Sequence, residues 1–395
     1  MHSLSTCYGQ RKRSRFFSLA LTSLLIAACG ADDAPAAGGE SLALSDTVAT
    51  VSQDPPSESA LPVGPTADLP ANELGQIMVL EYHRLGDPEG EWYRSIENFR
   101  SDLRMLYERG YRPVTMRQVV EGNIDIPAGT SPVVFTVDDS SLRQFYYLED
   151  GGIDPNTMVG IWDRFQQENP AWHHGAVWCV LPAADYPSNF FGEKASREVP
   201  RAEREETIRR KVGYLVENRH EICNHTLYHA RLDRGTDAQV QEWIGRGEDS
   251  IQVYLPEGYE IVTHALPLGM WPKNRQLAWK GTWPGRPGQD RPVNYEYSVV
   301  LEVSGGPNVS PFDSRFVGHS VNRLIVAPGA LQRQLQAYER NPGQRYVSDG
   351  NPNTIAVPRS LQERVNRARW PGKEIRVIDQ EASAAGAAAE AGADG

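Results

Sequence analysis

The sequence predicts an α/β fold, a barrel of about seven parallel strands wrapped by helices. Three observations predict it. From residue 75 onward, short apolar runs alternate with amphipathic segments. The runs are continuous rather than alternating in polarity, as in strands covered on both faces. Polar clusters also close several runs, at the strand ends where such barrels do their chemistry.

The elements follow in order. "QIMVLEYH" reads as the first buried strand, closing on His83. "SIENFRSDLRMLYERG" places Phe99, Leu103 and Leu106 on one helical face, with Gly110 as its stop. "YRPVT" is short and extended. "SPVVFTVDDS" is a second buried strand, closing on Asp138 and Asp139. "GIWDRFQQEN" is a helix and "GAVWCVLP" a strand. "REETIRRKVGYLVENR" sets Ile208, Val212 and Leu215 on one face, and "HEICNH" is the strand that follows. "DAQVQEWIGRGEDSIQVY" is a helix, "EIVTHALPLG" a strand, "SVVLEV" and "RLIVAP" two more, and "LQRQLQAYER" a last helix.

The flanks have other compositions. Arg11, Lys12, Arg13 and Arg15 precede an apolar run too short to span a membrane comfortably, the pattern of an export signal. That run closes on Ile26-Ala27-Ala28-Cys29, which resembles the lipobox of bacterial lipoproteins, so residues 1–28 would be removed and Cys29 would carry lipid. Residues 29–74 contain eight acids and no Lys or Arg, and residues 377–395 contain four acids and no base. Both read as disordered. Without the four bases of residues 1–28 the formal net charge of −11 becomes −15; the two flanks carry −12 of it, leaving about −3 on a folded domain over residues 75–376. A nearly neutral domain has no basic footprint for nucleic acid. The expected setting is extracytoplasmic, on a chain tethered to a membrane by its N-terminal lipid. Nothing in the sequence bears on oligomeric state.

With Cys7 in the signal and Cys29 lipidated, Cys179 and Cys223 remain. They are either two buried thiols or a disulfide, which such a compartment permits.

"NHTLYH" sets His225 and His229 four residues apart. On a strand they would be about 13 Å apart; on a turn they are neighbours. The stretch begins at a strand end, where the chain must turn, so both can meet one metal ion. A third, oxygen ligand is needed, and Asp139 on the neighbouring strand can supply it.

These motifs together resemble the polysaccharide deacetylase (NodB-homology) family of carbohydrate esterases. "TVDDS", Thr136 to Ser140, is similar to the family's Thr-Phe-Asp-Asp-Gly, and "HTLYH" matches its His-Ser/Thr-x-x-His, in the family's order over roughly residues 77–330. The resemblance implies a distorted (β/α) barrel and a divalent cation, usually zinc, held by Asp139, His225 and His229, with Asp138 as general base. It implies acetyl removal from an N-acetylated polysaccharide. An O-acetyl esterase of the same family, or a module that binds metal and glycan without turnover, is the alternative.

Three departures stand out. Ser140 replaces the motif's glycine. The Arg-x-Pro-Tyr-Gly motif appears as "ALPLG", with Ala265 where the Arg that orients the base would be, Leu268 where the Tyr would be, and Pro267 and Gly269 kept. The Leu-x-His motif that donates the general acid is absent. His319 is the nearest candidate, with His264 and His83 as others. Substrate contacts are expected from Pro267, Trp271 and His83, with Trp271 and Trp92 either stacking on sugar rings or packing in the core.

Overall fold

A computed structural model describes residues 63–379, apart from 287, 289 and 290. The export signal, Cys29 and most of both low-complexity flanks lie outside the described residues.

Seven parallel strands close a barrel. In chain order they are β1 (Met78–Tyr82), β3 (Ser131–Val137), β4 (Val177–Val180), β5 (Glu221–Asn224), β6 (Thr263–Ala265), β7 (Val299–Gly305) and β8 (Val321–Ile325). β2 (Tyr111–Pro113) adds to the outer edge of β3. The order around the barrel is β1-β8-β7-β6-β5-β4-β3, and β3 returns to pair with β1 along its whole length. The closure is uneven: β5 meets β6 through the single pair Asn224↔His264, and β7 shifts register against β8.

Five longer helices cover the outside, each overlapping a segment read as helical in the sequence, while a short helix at Met116–Val120 has no counterpart in that reading. α1 (Ile96–Glu108) is capped by Ser95, whose hydroxyl accepts from Asn98 N, and stops before Gly110 at φ 75°. α2 (Met158–Glu168) and α3 (Arg201–Glu217) follow. α4 (Asp237–Gln252) opens with a capping box between Thr236 and Gln239, and α5 (Ala330–Arg340) is the last. Their buried faces, such as Leu103 and Leu106 on α1 or Val212 and Leu215 on α3, pack on outward strand residues such as Leu80, Phe135 and Trp178.

The inward residues form a second core. Val79, Val134, Val177, Cys179, Cys223 and Val299 belong to it, and Cys179 and Cys223, directly opposite on β4 and β5, are joined as a disulfide. Inward positions change character along each strand: β3 runs from Val134 through Thr136 to Asp138, and β8 from Val321 to Arg323. Apolar residues pack the lower barrel and polar ones crowd its C-terminal mouth.

Two parts of the fold differ from the sequence reading. The acidic linker was expected to run unfolded through residue 74, yet ordered chain begins by residue 63. Arg112 donates to the carbonyls of Val63 and Pro65, Ala67 N to Gly129 O, and Leu74 is buried. Backbone hydrogen bonds hold a stretch whose composition carries no signal of order. The chain also packs so close to Gly110 that a Cβ there would lie 2.8 Å from Ala67 N. At the other end, β9 (Thr354–Pro358) pairs in parallel with β10 (Glu374–Ile378), which reaches past the expected end of the domain at residue 376. Tyr346, Ile355 and Val357 from this segment join the inner core. No helix among the described residues is long and apolar enough to cross a membrane.

Candidate active site and metal centre

Asp139, His225 and His229 converge at the mouth. Their ligand atoms lie within 4.8 Å of one another, and Asp139 Oδ1 is 3.7 Å from Nε2 of each histidine. The turn after β5 bends as the spacing required, with Thr226 at φ 67° and His229 at φ 58°. Asp139 and Ser140 also have positive φ, at 78° and 43°. Four non-glycine residues in left-handed backbone around one point mark a place where strain is tolerated for geometry. Ser140 does more than alter a turn: its hydroxyl accepts from Leu181 N at the end of β4.

His225 Nδ1 lies 2.9 Å from the carbonyl oxygen of Ala265, which fixes the ring so that Nε2 faces Asp139. Burial lowers the His225 imidazole to about 3 and also lowers His229, keeping both neutral, as metal ligands must be. Burial, and then the Asp138 charge, push the Asp139 carboxyl up to about 7. Its Oδ1 is buried with no hydrogen-bond partner. A buried, orphaned carboxylate oxygen between two neutral imidazoles fits a divalent cation.

Asp138 lies almost as near, its Oδ2 3.8 Å from His225 Nε2, but both of its oxygens are taken up by another partner. Arg323 grips it from β8, Nη1 donating to Oδ1 at 2.8 Å and Nη2 to Oδ2 at 2.9 Å. Burial would raise the Asp138 carboxyl, but the Arg323 guanidinium, with His225 and His83, holds it below the usual carboxylate range. Gln144 donates to the main-chain oxygens of both Asp138 and His83, tying the ends of β3 and β1 together. The sequence reading missed Arg323. Its signal was a lone charge within the strand-like run "VNRLIV".

The other expected residues divide. His83 lines the same cavity as Asp138, Asp139, His225 and His229, with its ring 4.7 Å from Trp92 and its Nε2 3.5 Å from Glu81 Oε1. Trp92, Tyr93, Tyr186 and Leu268 form the exposed rim of that cavity. Pro267 is buried beside it, while its neighbours Leu266 and Leu268 do the lining. Trp271 does not line it. Its indole donates to Glu302, and Arg275 lies 3.5 Å over its ring.

His319 is not brought to the mouth. It precedes β8, at the opposite end of the barrel, stacked on Trp279 with Nε2 3.1 Å from Tyr297 O. A parallel strand separates the residues before it from those after it by the barrel's height, so proximity to "NRLIV" in sequence was misleading. His264 is buried against Ala278 O, away from the cavity.

No family model matches the sequence, and no curated protein does. Among solved structures, the chain is similar to a putative polysaccharide deacetylase from Bacillus anthracis at 13% identity and TM-score 0.45, covering 66% of this chain and 68% of that one. It is similar to IcaB from Ammonifex degensii at 18% identity and TM-score 0.45, covering 68% and 97%. It is also similar to the Streptococcus pyogenes deacetylase PplD in complex with acetate, at 14% identity and TM-score 0.44, covering 66% and 97%. The chain is thus similar, at low identity, to polysaccharide deacetylases of known structure.

Proposed function

We propose that the protein is a metal-dependent hydrolase that removes acetyl groups from N-acetylated cell-surface polysaccharide, such as peptidoglycan, poly-N-acetylglucosamine or a chitin-like chain. One observation carries this reading. Asp138, held ionised by Arg323, stands beside the Asp139–His225–His229 group, with its Oδ2 3.8 Å from His225 Nε2. Three side chains suffice to hold a cation, and a second, buried carboxylate has no use in a module that only binds.

Zinc suits two imidazoles and a carboxylate, and when bound it supplies Lewis acidity toward water and the acetyl carbonyl. Asp138 takes the proton of the attacking water. Burial lowers the His83 imidazole to about 4 and keeps it neutral. Standing within 4.8 Å of Asp138 across the same cavity, it relays to the departing amine the proton that Asp138 takes from water. The aromatic rim of Trp92, Tyr93 and Tyr186 offers faces for sugar rings. The basic and apolar residues 1–28, followed by Cys29, support a setting outside the cytoplasm for this activity, on a chain anchored to a bacterial membrane by lipid.

The test is acetate release by the full-length protein from these three glycans and from acetylated xylan, with zinc, with cobalt or with a chelator. Metal-dependent release from an N-acetylated glycan is expected. Release from xylan alone would make the protein an O-acetyl esterase. Tight metal binding without acetate from any substrate would make it a binding module.

A further inference from the structure

We propose that Arg323 and Glu81 form a buried positioning pair that fixes the base Asp138 and the proton donor His83 relative to each other. This rests on the deacetylase reading above. The three strands concerned are neighbours: β1 lies between β8 and β3, with Glu81 paired to Ile325 on one side and to Thr136 on the other. All three strands turn these side chains toward the barrel axis.

The guanidinium of Arg323 is fully buried and engaged on every side. It holds both oxygens of Asp138, reaches Thr136 Oγ1 at 3.2 Å, and donates through Nε to the main-chain oxygen of Glu302. Nη2 is also 3.2 Å from Glu81 Oε1. That oxygen is in turn 3.5 Å from His83 Nε2. The result is a line of close contacts, Asp138 to Arg323 to Glu81 to His83, and both of its ends face the cavity. It is hydrogen-bonded at its first link and held at the other two by proximity, since neither Glu81 oxygen has a hydrogen-bond partner and burial raises its carboxyl.

A guanidinium suits this role because its planar fork meets one carboxylate with two donors and keeps others for a second; an ammonium cannot. The second group of potential ligands at the mouth, Glu81, His83 and Asp138, therefore already holds its cation, covalently attached to β8. Ala265, fully buried with its carbonyl oxygen on His225, leaves no side chain to orient the base from β6. Arg323 orients it from β8 instead, and lies against Glu81, the neighbour of the donor.

An ion pair serving only the fold would not need to end on two reacting groups, and experiment separates the two roles. In Arg323→Met and in the isosteric Glu81→Gln, kcat on an N-acetylated glycan is expected to fall at least about 100-fold while KM and zinc affinity stay within about 3-fold. Millimolar guanidinium chloride, but not sodium chloride, is expected to restore part of the activity of Arg323→Ala. A second readout needs neither metal nor turnover. In metal-free protein at fixed pH, the His83 imidazole resonances are expected to move in both Arg323→Met and Glu81→Gln, with those of His264 unmoved. Wild-type kcat in either variant, or unmoved His83 resonances, would overturn the pairing. Moved resonances in a protein that releases no acetate would leave the pair standing and remove the deacetylase reading.

Discussion

The two terminal nitrogens of Arg323 meet the two carboxylate oxygens of Asp138 at 2.8 and 2.9 Å, across 185 residues of chain. This contact lets the site keep an oriented carboxylate although Ala265 stands where a motif arginine was expected. Its consequences, and those of the groups around it, can be measured.

The first concerns the cation. Because Nδ1 of His225 is committed to Ala265 O, only Nε2 is free to bind. His225→Ala is expected to weaken zinc binding by more than the roughly 10–100-fold that loss of an outer partner costs. Competition with a chromogenic chelator reads this directly, and unchanged affinity would remove His225 from the site.

Gln144 makes a separate prediction. Its amide nitrogen serves two main-chain oxygens, those of His83 and Asp138, in a fully buried setting. Gln144→Leu leaves both carbonyls unpaired and is expected to cost about 1–3 kcal/mol in urea unfolding. Turnover should fall as well, since the ends of β1 and β3 are then free to part.

The Cys179–Cys223 bond ties β4 to β5 across a separation of 44 residues. Thiol titration of the unfolded, unreduced domain is expected to find neither cysteine free. The double variant Cys179→Ala, Cys223→Ala is expected to lose about 2–4 kcal/mol. Two titratable thiols would contradict the bond.

Glu73 sets a pH dependence at the far end of the barrel. It is buried, accepting from Tyr346 OH and Ala356 N, and burial pushes its carboxyl from the ordinary 4.5 up to about 8. The folded state therefore holds this proton more tightly than the unfolded one. The resulting stability is complete below pH 4.5 and is lost as pH rises toward 8. Glu73→Gln, which stays neutral, should lose less unfolding free energy than wild type between about pH 5 and about pH 8.5, by about 1 kcal/mol or more. Parallel pH profiles for the two proteins would contradict this.

Much of the barrel was legible because its signals are local. Continuous apolar runs, helical spacing and caps fix each element from its own residues, and "TVDDS" and "NHTLYH" lie whole at strand ends. What escaped was non-local. Arg323 acquires meaning only when β8 is placed beside β1, and no pattern within "VNRLIV" says which way the charge points. His319 was misplaced for the same reason, being near β8 in sequence but at the wrong end of it. The order of residues 63–74 rests on partners such as Val347 and Gly129, which composition does not reveal.

The central claim is that Asp138 is a base and Asp139 is not. It is tested most directly by Asp138→Asn, with acetate release and bound zinc measured on the same sample. Loss of about 100- to 10,000-fold in kcat, with zinc still bound one per chain, is the result this account predicts. Turnover at the wild-type rate, or loss of the zinc along with the activity, would contradict it.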